Sequence, residues 1–205
     1  MKNRKGNLIV FSGPSGSGKG TILKELFDRY PDIDAQVSVS ATTRQPRPGE
    51  TDGVNYYFVT RHEFESRIEQ GGFYEYAQFC GNYYGTPKAE VLKKLDEGID
   101  VILEIEVQGA MKIKEQVPDA VMVFVLPPSF KELRSRLINR ATEPDDVIDK
   151  RIEAARAEVE YIKHYTYVII NNELECATRQ LKSVLEAEHL KVVKNIKNIQ
   201  EVCKL

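Results

Sequence analysis

Residues 13–21 carry the sequence GPSGSGKGT, and this stretch decides the fold. It matches the pattern G-x-x-x-x-G-K of a phosphate-binding loop. The apolar run at residues 7–12 predicts a buried strand before it, and helically spaced apolar side chains follow it as far as Tyr30. A strand, a glycine-rich turn and a helix in this order are the context in which the pattern binds phosphate.

Each part of this loop has a physical role in holding an anion. Glycines let the backbone bring its N–H groups close to a phosphate, and the helix N-terminus adds partial positive charge. Lys19 supplies a full charge to the β- and γ-phosphates of a nucleotide. Gly20 stands where Ser or Thr is usual, so the hydroxyl comes one residue later, from Thr21. The predicted nucleotide-binding residues are Gly13, Pro14, Ser15, Gly16, Ser17, Gly18, Lys19, Gly20 and Thr21.

Length and composition predict an ordinary globular chain. The 205 residues correspond to one domain, or to one domain with insertions, and 29 basic against 31 acidic residues leave a net charge of −2. The chain is 41% hydrophobic, which excludes a disordered or collagen-like chain. Near-neutral charge argues against a nucleic-acid partner. No apolar run is long enough for a transmembrane helix, which argues against a membrane protein. The apolar run near the N-terminus is also too short for a signal peptide. Three separated cysteines predict free thiols in a reducing cytoplasm.

Strands and helices alternate along most of the chain. Strands are predicted at residues 101–107, 120–126 and 167–170, and helices at 88–97, 130–140, 142–163 and 175–188. This alternation predicts a parallel sheet that helices cover on both faces. Residues 37–86 differ, since aromatic strand-like runs such as 54–59 predict a small β-rich insertion. On the helix at 88–97, the side chains of Val91, Leu92 and Leu95 are expected to be buried. Ser129 followed by Glu132 predicts a capping box at the start of the helix at 130–140.

Arginines are placed where they can clamp phosphates. Arg136 and Arg140 are four residues apart on one predicted helix, and Arg151 lies on the next. Arg44 and Arg47 lie in a proline-rich loop. A guanidinium group binds phosphate through paired hydrogen bonds. For each arginine alone, a solvated surface charge is the alternative; as a set beside a phosphate loop they favour phosphate binding.

Several motifs in register resemble one known family. Residues 39–50 (VSATTRQPRPGE), 74–86 (YEYAQFCGNYYGT), 103–109 (LEIEVQG) and 127–129 (PPS) follow the phosphate loop in the order and spacing of guanylate kinases. The resemblance runs from about Leu8 to Glu186. It implies an α/β fold with a parallel-sheet core (residues 1–38, 90–129 and 161–205), a GMP-binding insertion (39–89) and a helical lid (130–160). It also implies transfer of the γ-phosphoryl group of ATP to GMP, with Mg²⁺.

The resemblance implies roles for particular residues. Arg44, Arg47, Tyr56 and Tyr84 would bind the GMP phosphate, Ser40, Thr86 and Glu106 would contact the base, and Glu75 would read the guanine. A carboxylate accepts from the guanine ring N–H and the exocyclic amine together, whereas adenine has an acceptor at that ring position. Glu104 would lie near Mg²⁺, with Thr21 as a second metal candidate, and Asn171 near the adenine of ATP. The predicted catalytic residues are Lys19, Arg44, Arg136, Arg140 and Arg151.

Some alternatives stay open at this point. Glu104 and Glu106 are two apart on a predicted strand and would share one face. Asn171 could instead be a turn or capping residue. The chain could phosphorylate another nucleoside monophosphate, or be a related scaffold that binds peptides without catalysis; Glu75 favours guanine, and the intact phosphate loop favours an enzyme. The expected partners are the substrates ATP and GMP, and the chain could be a monomer or a homo-oligomer. The tail after Glu186 could pack on the core, mediate dimerisation or fray.

Overall fold

A computed structural model describes residues 4–140 and 144–203, apart from the side chains of Arg140, Lys197 and Asn198. Its strands are β1 (Leu8–Ser12), β2 (Ala35–Val37), β3 (Ala41–Thr42), β4 (Tyr57–Phe58), β5 (Phe73–Phe79), β6 (Asn82–Pro87), β7 (Asp100–Glu104), β8 (Val121–Leu126) and β9 (Tyr167–Ile170). Its helices are α1 (Lys19–Arg29), α2 (Arg61–Glu69), α3 (Lys88–Asp96), α4 (Val107–Gln116), α5 (Phe130–Arg140), α6 (Asp145–Val159), α7 (Leu174–Leu190) and α8 (Val192–Val202), with a 3₁₀ turn at Glu160–His164.

The core is a parallel sheet with the strand order β2-β7-β1-β8-β9. Alternate residues of β1 face opposite sides, as strand geometry requires. Ile9 and Phe11 pack against apolar side chains of α1 and α7, whereas Leu8 and Val10 pack against those of α3 and α4. The prediction of a parallel sheet covered on both faces is therefore confirmed.

A second, smaller sheet has the strand order β4-β3-β6-β5, and all its strands come from residues 41–87. Helix α2 covers one face of it through Phe64, whose ring stacks 4.2 Å from that of Phe73 and 5.2 Å from that of Tyr83. Strand β4 is much shorter than the predicted run 54–59. Between β5 and β6 the chain turns at Cys80 and Gly81, both with positive φ.

Helices α5 and α6 pack on each other around a cluster of their own. Leu133 and Leu137 of α5 meet Ile148 and Ile152 of α6, apart from the clusters on the core sheet. The Glu132 N–H donates to Ser129 Oγ at 3.0 Å, which is one of the two hydrogen bonds of the predicted capping box, and Glu132 Oε1 accepts from Arg136 Nε. The predicted helix start at Thr142 lies outside the described residues.

Two sequence predictions about the middle of the chain are wrong. The strand expected at 101–107 ends at Glu104, and α4 follows at Val107 with Glu106 in its N-cap position. Glu104 and Glu106 therefore do not share a strand face. The alternating run LEIEV, typical of a strand, hid this break, because Val107 also starts the helical stripe that buries Ala110 and Ile113.

Leu92 is the second correction. It is 42% exposed, whereas Val91 and Leu95 are buried. Residues four apart lie on one helix face, and Leu92 lies about 100° around the helix from Val91. The other predicted helices and strands are present within a few residues of their expected bounds.

At the C-terminal end, the tail forms α8, which follows α7 after a break at Lys191. Its apolar side chains Val192, Val193 and Val202 are exposed. All three cysteines are free thiols. Among the described residues, none of the helices has the length and apolar character needed to cross a membrane.

Candidate nucleotide-binding site

The phosphate loop connects the carboxyl end of β1 to the N-terminus of α1. Gly13, Gly16 and Gly18 have φ values of 139°, 88° and 95°, which side chains rarely allow. A Cβ on Gly13 would also lie 2.2 Å from the Val125 carbonyl oxygen. The glycines thus let the loop curl tightly around the start of α1, where backbone N–H groups attract anions.

Lys19 is the first residue of α1 and its side chain bends back over the loop. Its Nζ donates to the carbonyl oxygens of Gly13 at 2.5 Å and Pro14 at 3.1 Å. Burial lowers the pKa of Lys19, and the carboxylates of Glu104, Glu158 and Glu106 act in the opposite direction. The ammonium group is therefore held over the loop by acceptors that a phosphate would replace.

Arg136 and Arg151 reach the loop from the α5–α6 pair. Arg136 Nη2 donates to the Asn171 carbonyl at 3.0 Å and Nη1 to the Ser17 carbonyl at 3.5 Å. Arg151 Nη2 donates to Ser15 Oγ at 2.7 Å. The predicted role of Arg140 depends on a side chain outside the described part of the chain.

A cavity of about 360 Å³ opens beside this loop. Its lining includes Gly18, Thr21, Arg136, Asn139 and Asn171. Asn171 comes directly after β9, so the end of this strand contributes to the cavity. The phosphate loop, the α5 arginine and Asn171, which the sequence analysis treated separately, meet here.

A second cavity of about 300 Å³ lies between the core sheet and the second sheet. Ser40, Tyr56 and Thr86, all predicted GMP contacts, line it together with Glu104. Glu104 belongs to the core strand β7, next to β1. Ligands of parallel sheets bind outside the carboxyl ends of the strands, and this cavity lies at that edge.

Glu75 lies on β5, near this second cavity. Thr86 Oγ1 donates to Glu75 Oε1 at 2.7 Å. Burial raises the pKa of Glu75, the hydrogen bond from Thr86 lowers it, and the nearby Glu106 carboxylate raises it further. The pair holds one carboxylate oxygen in a fixed direction, as recognition of a base edge requires.

Arg44, Tyr56 and Tyr84 form a group beside the second cavity. Arg44 Nη2 pairs with Glu50 Oε1 at 2.8 Å, and its guanidinium carbon lies 5.4 Å from the centre of the Tyr56 ring. The Tyr56 and Tyr84 rings meet edge to face, 6.0 Å apart. Arg47 is exposed, and its backbone N–H donates to Glu50 Oε2 at 2.7 Å. Glu50 thus organises both arginines.

The residues proposed to hold Mg²⁺ fit a cation that keeps much of its water. The structure describes no group of three or more His, Cys, Asp or Glu residues arranged to bind a metal. A Cβ on Gly20 would lie 3.5 Å from Glu104 Oε1, so this carboxylate lies close against the loop. Magnesium is commonly bound by one or two carboxylates together with substrate phosphates. Glu104, beside the loop, could supply such a carboxylate.

Sequence reasoning missed Glu158. It lies on α6, half-buried, seven residues after Arg151 and therefore on the same helix face. Burial raises its pKa, the charge of Lys19 lowers it, and Glu106 raises it. The spacing from Arg151 was the signal that could have identified it as a residue facing the cleft.

A phosphate loop at the edge of a parallel sheet, contacted by arginines of a separate helix pair, defines a P-loop nucleotide-binding protein. The family model described as guanylate kinase matches residues 5–188. The chain belongs to the guanylate kinase family.

Known relatives agree over nearly the full chain. A guanylate kinase of Desulfitobacterium hafniense (strain Y51) is 52% identical over 192 residues, which cover 94% of this chain and 95% of that protein. One of Streptococcus pneumoniae (strain R6) is 52% identical over 198 residues, covering 97% and 95%. The crystal structure of guanylate kinase from Anaplasma phagocytophilum superimposes with a TM-score of 0.72 at 32% identity, covering 98% of this chain and 96% of that one.

Proposed function

We propose that this chain is an ATP:GMP phosphotransferase, which transfers the γ-phosphoryl group of ATP to GMP and yields ADP and GDP. The observation that carries the proposal is the position of Glu104. Its carboxylate lies against the phosphate loop at Gly20 and also lines the cavity that contains Ser40, Tyr56 and Thr86. Two sites therefore adjoin across one side chain, as transfer between two nucleotides requires.

Three functional parts follow from the proposal. Residues 1–38, 90–129 and 161–205 form the core that binds ATP, residues 39–89 bind GMP, and residues 130–160 act as a lid. The separate sheet within residues 41–87 and the separate apolar cluster of α5 and α6 support this division. The reaction takes place in the cytoplasm, in agreement with the free thiols.

On the ATP side, the chain supplies charge and orientation. The N–H groups of the phosphate loop and Lys19 bind the β- and γ-phosphates, while Arg136, Arg140 and Arg151 stabilise the transferring group. The GMP phosphate oxygen is already anionic and attacks the γ-phosphorus in line, so no general base is needed. Closure of the lid and of the GMP-binding part excludes water, which would otherwise accept the phosphoryl group.

On the GMP side, side chains give selectivity. Arg44, Arg47, Tyr56 and Tyr84 bind the phosphate, for which Arg44 would exchange its pairing with Glu50. Glu75 accepts the guanine ring N–H and amine, supported by Thr86, while Ser40 and Glu106 complete the base contacts. Adenine would leave the half-buried Glu75 carboxylate facing an acceptor, which costs binding energy.

Mg²⁺ fits between these two sides. Glu104 would hold it, directly or through water, and the hydroxyl of Thr21, in the first turn of α1, is the second candidate. When bound with ATP, Mg²⁺ neutralises charge on the phosphates during transfer.

The direct test is product analysis with ATP labelled at the γ-phosphate. We expect the label to appear in GDP when GMP is the acceptor, and no labelled diphosphate from AMP, CMP or UMP. Equal transfer to AMP would favour a different nucleoside monophosphate kinase. Absence of any transfer, with ATP and Mg²⁺ present, would favour the peptide-binding scaffold and contradict the proposal.

A further inference from the structure

Asn171 is a buried residue at the end of β9, with only 6% of its surface exposed. Its backbone N–H donates to the Leu126 carbonyl at 2.8 Å, so strand pairing continues through it and holds it in place. Its side chain turns towards the phosphate loop, where Nδ2 donates to the Ser17 carbonyl oxygen at 2.9 Å. The side-chain donor is therefore used within the protein.

Arg136 joins the same contact from α5. Its Nη1 donates to the Ser17 carbonyl at 3.5 Å, and its Nη2 donates to the carbonyl of Asn171 itself at 3.0 Å. The Ser17 oxygen thus receives two donors from segments that are far from it in sequence. Asn171 links the loop to the lid helix as well as to the core strand.

The fit of Asn171 depends on Gly18. A Cβ at this position would lie 2.3 Å from Asn171 Nδ2, a distance that no side chain tolerates. The amide therefore packs directly on the backbone of the loop, and φ of 95° at Gly18 turns the chain there. Both the glycine and the amide are needed for this contact.

The geometry of the peptide bond explains what the contact achieves. A trans peptide unit is planar, with its C=O and N–H pointing in opposite directions. Because Asn171 and Arg136 hold the Ser17 oxygen on one side, the Gly18 N–H must point away from them. In a phosphate loop the N–H groups that point inward bind the anion.

We propose that Asn171 is a positioning residue for the phosphate loop, which orients the Ser17–Gly18 peptide for the phosphates of ATP, instead of a residue that reads adenine. The inference rests on the proposed function only in that it takes a nucleotide triphosphate as the ligand. Loss of the amide frees the peptide to rotate, so it weakens binding of any triphosphate, with or without a base.

Inorganic tripolyphosphate separates the two roles, since it has no base. Calorimetric titration of the full chain with tripolyphosphate and with ATP is compared for the unaltered protein, Asn171→Ala and the control Gln180→Ala, which removes an exposed amide on α7 outside this cavity. For Asn171→Ala we expect both affinities to fall by the same factor, roughly tenfold for one lost buried hydrogen bond. GMP affinity should stay unchanged, as should both affinities of the control.

The near-isosteric Asn171→Asp tests the same point without leaving a cavity. Its carboxylate would face the Ser17 oxygen, so tripolyphosphate and ATP binding should both fall further than in Asn171→Ala. If either variant weakens ATP alone and leaves tripolyphosphate binding unchanged, the inference is overturned and Asn171 reads the base. If the unaltered chain binds tripolyphosphate with this dependence but forms no GDP, the proposed function fails while the role of Asn171 stands.

Discussion

The phosphate loop and the insertion that carries the second sheet offer phosphate different kinds of donor. The loop consists of backbone N–H groups between a core strand and a helix, and its shape depends on glycines packed against neighbouring backbone. The insertion would use side chains such as Arg44, Tyr56 and Tyr84 beside a small sheet with a minor apolar cluster. The difference suggests that the first site is preformed, whereas the second gains its geometry when substrate replaces pairs such as Arg44–Glu50.

Removing the charge of Lys19 should have the largest effect. In Lys19→Ala the transferring phosphoryl group loses the cation that lies over the loop, so kcat should fall by roughly a thousandfold. Steady-state kinetics at saturating GMP measure this, and KM for GMP should change little. Lys24→Ala removes an exposed lysine from the same helix and should leave kcat unchanged. A similar kcat for both variants would contradict the assignment of Lys19.

The second prediction addresses the side-chain site. Arg44→Ala should raise KM for GMP by about a hundredfold, because a charge-assisted contact to the GMP phosphate is lost. KM for ATP should stay the same. Arg61→Ala is the control, because Arg61 belongs to the same insertion but is exposed and pairs with Glu65. Equal increases in both Michaelis constants would show that the two sites are not separable as described.

Arg151 tests whether the α5–α6 pair serves the ATP side only. Its contact with Ser15 Oγ connects α6 to the loop. Arg151→Ala should lower kcat by roughly tenfold, with KM for GMP unchanged. Arg156→Ala, an exposed position on the same helix, provides the comparison. An increase in KM for GMP without a change in kcat would assign Arg151 to the other site.

The smallest effect is a pH dependence of the GMP side. Burial raises the pKa of Glu75 above its ordinary value of 4.5, and only the ionised carboxylate can accept both guanine donors. As the pH falls through this raised pKa, protonation removes an acceptor, so kcat/KM for GMP should fall. The phosphate of GMP titrates too, near pH 6 by analogy with phosphorylated side chains. The phosphate titration is the same for Glu75→Gln, so the difference between the pH profiles of kcat/KM for the unaltered chain and the variant isolates Glu75. Identical profiles would contradict the prediction.

The two regions also differ in how far the sequence predicts them. The phosphate loop is built from residues that are neighbours in sequence. A predicted strand, the glycines and Lys19 in this order were therefore sufficient to predict it. The contact of Asn171 with Ser17 joins residues 154 positions apart, and only the tertiary fold creates it. The pairing of Arg44 with Glu50 likewise needed the conformation of a proline-rich loop.

The prediction for β7 failed for a local reason. The segment VILEIEV continues an apolar run with alternating residues, and this pattern does not distinguish a long strand from a strand followed by a helix. Here the chain leaves the sheet after Glu104, and this break places Glu104 beside the loop and Glu106 at the start of α4. The two glutamates therefore belong to different parts of the cleft, although they are two residues apart.

The most direct test is the ratio of kcat/KM for GMP to that for AMP, at saturating ATP, in the unaltered chain and in Glu75→Gln. We predict a preference of roughly a thousandfold or more for GMP in the unaltered chain, and a ratio lowered by about a hundredfold in the variant with KM for ATP unchanged. Gln78→Ala, an exposed change on the same strand, should retain the preference. A ratio that Glu75→Gln leaves intact would contradict the account of guanine selection.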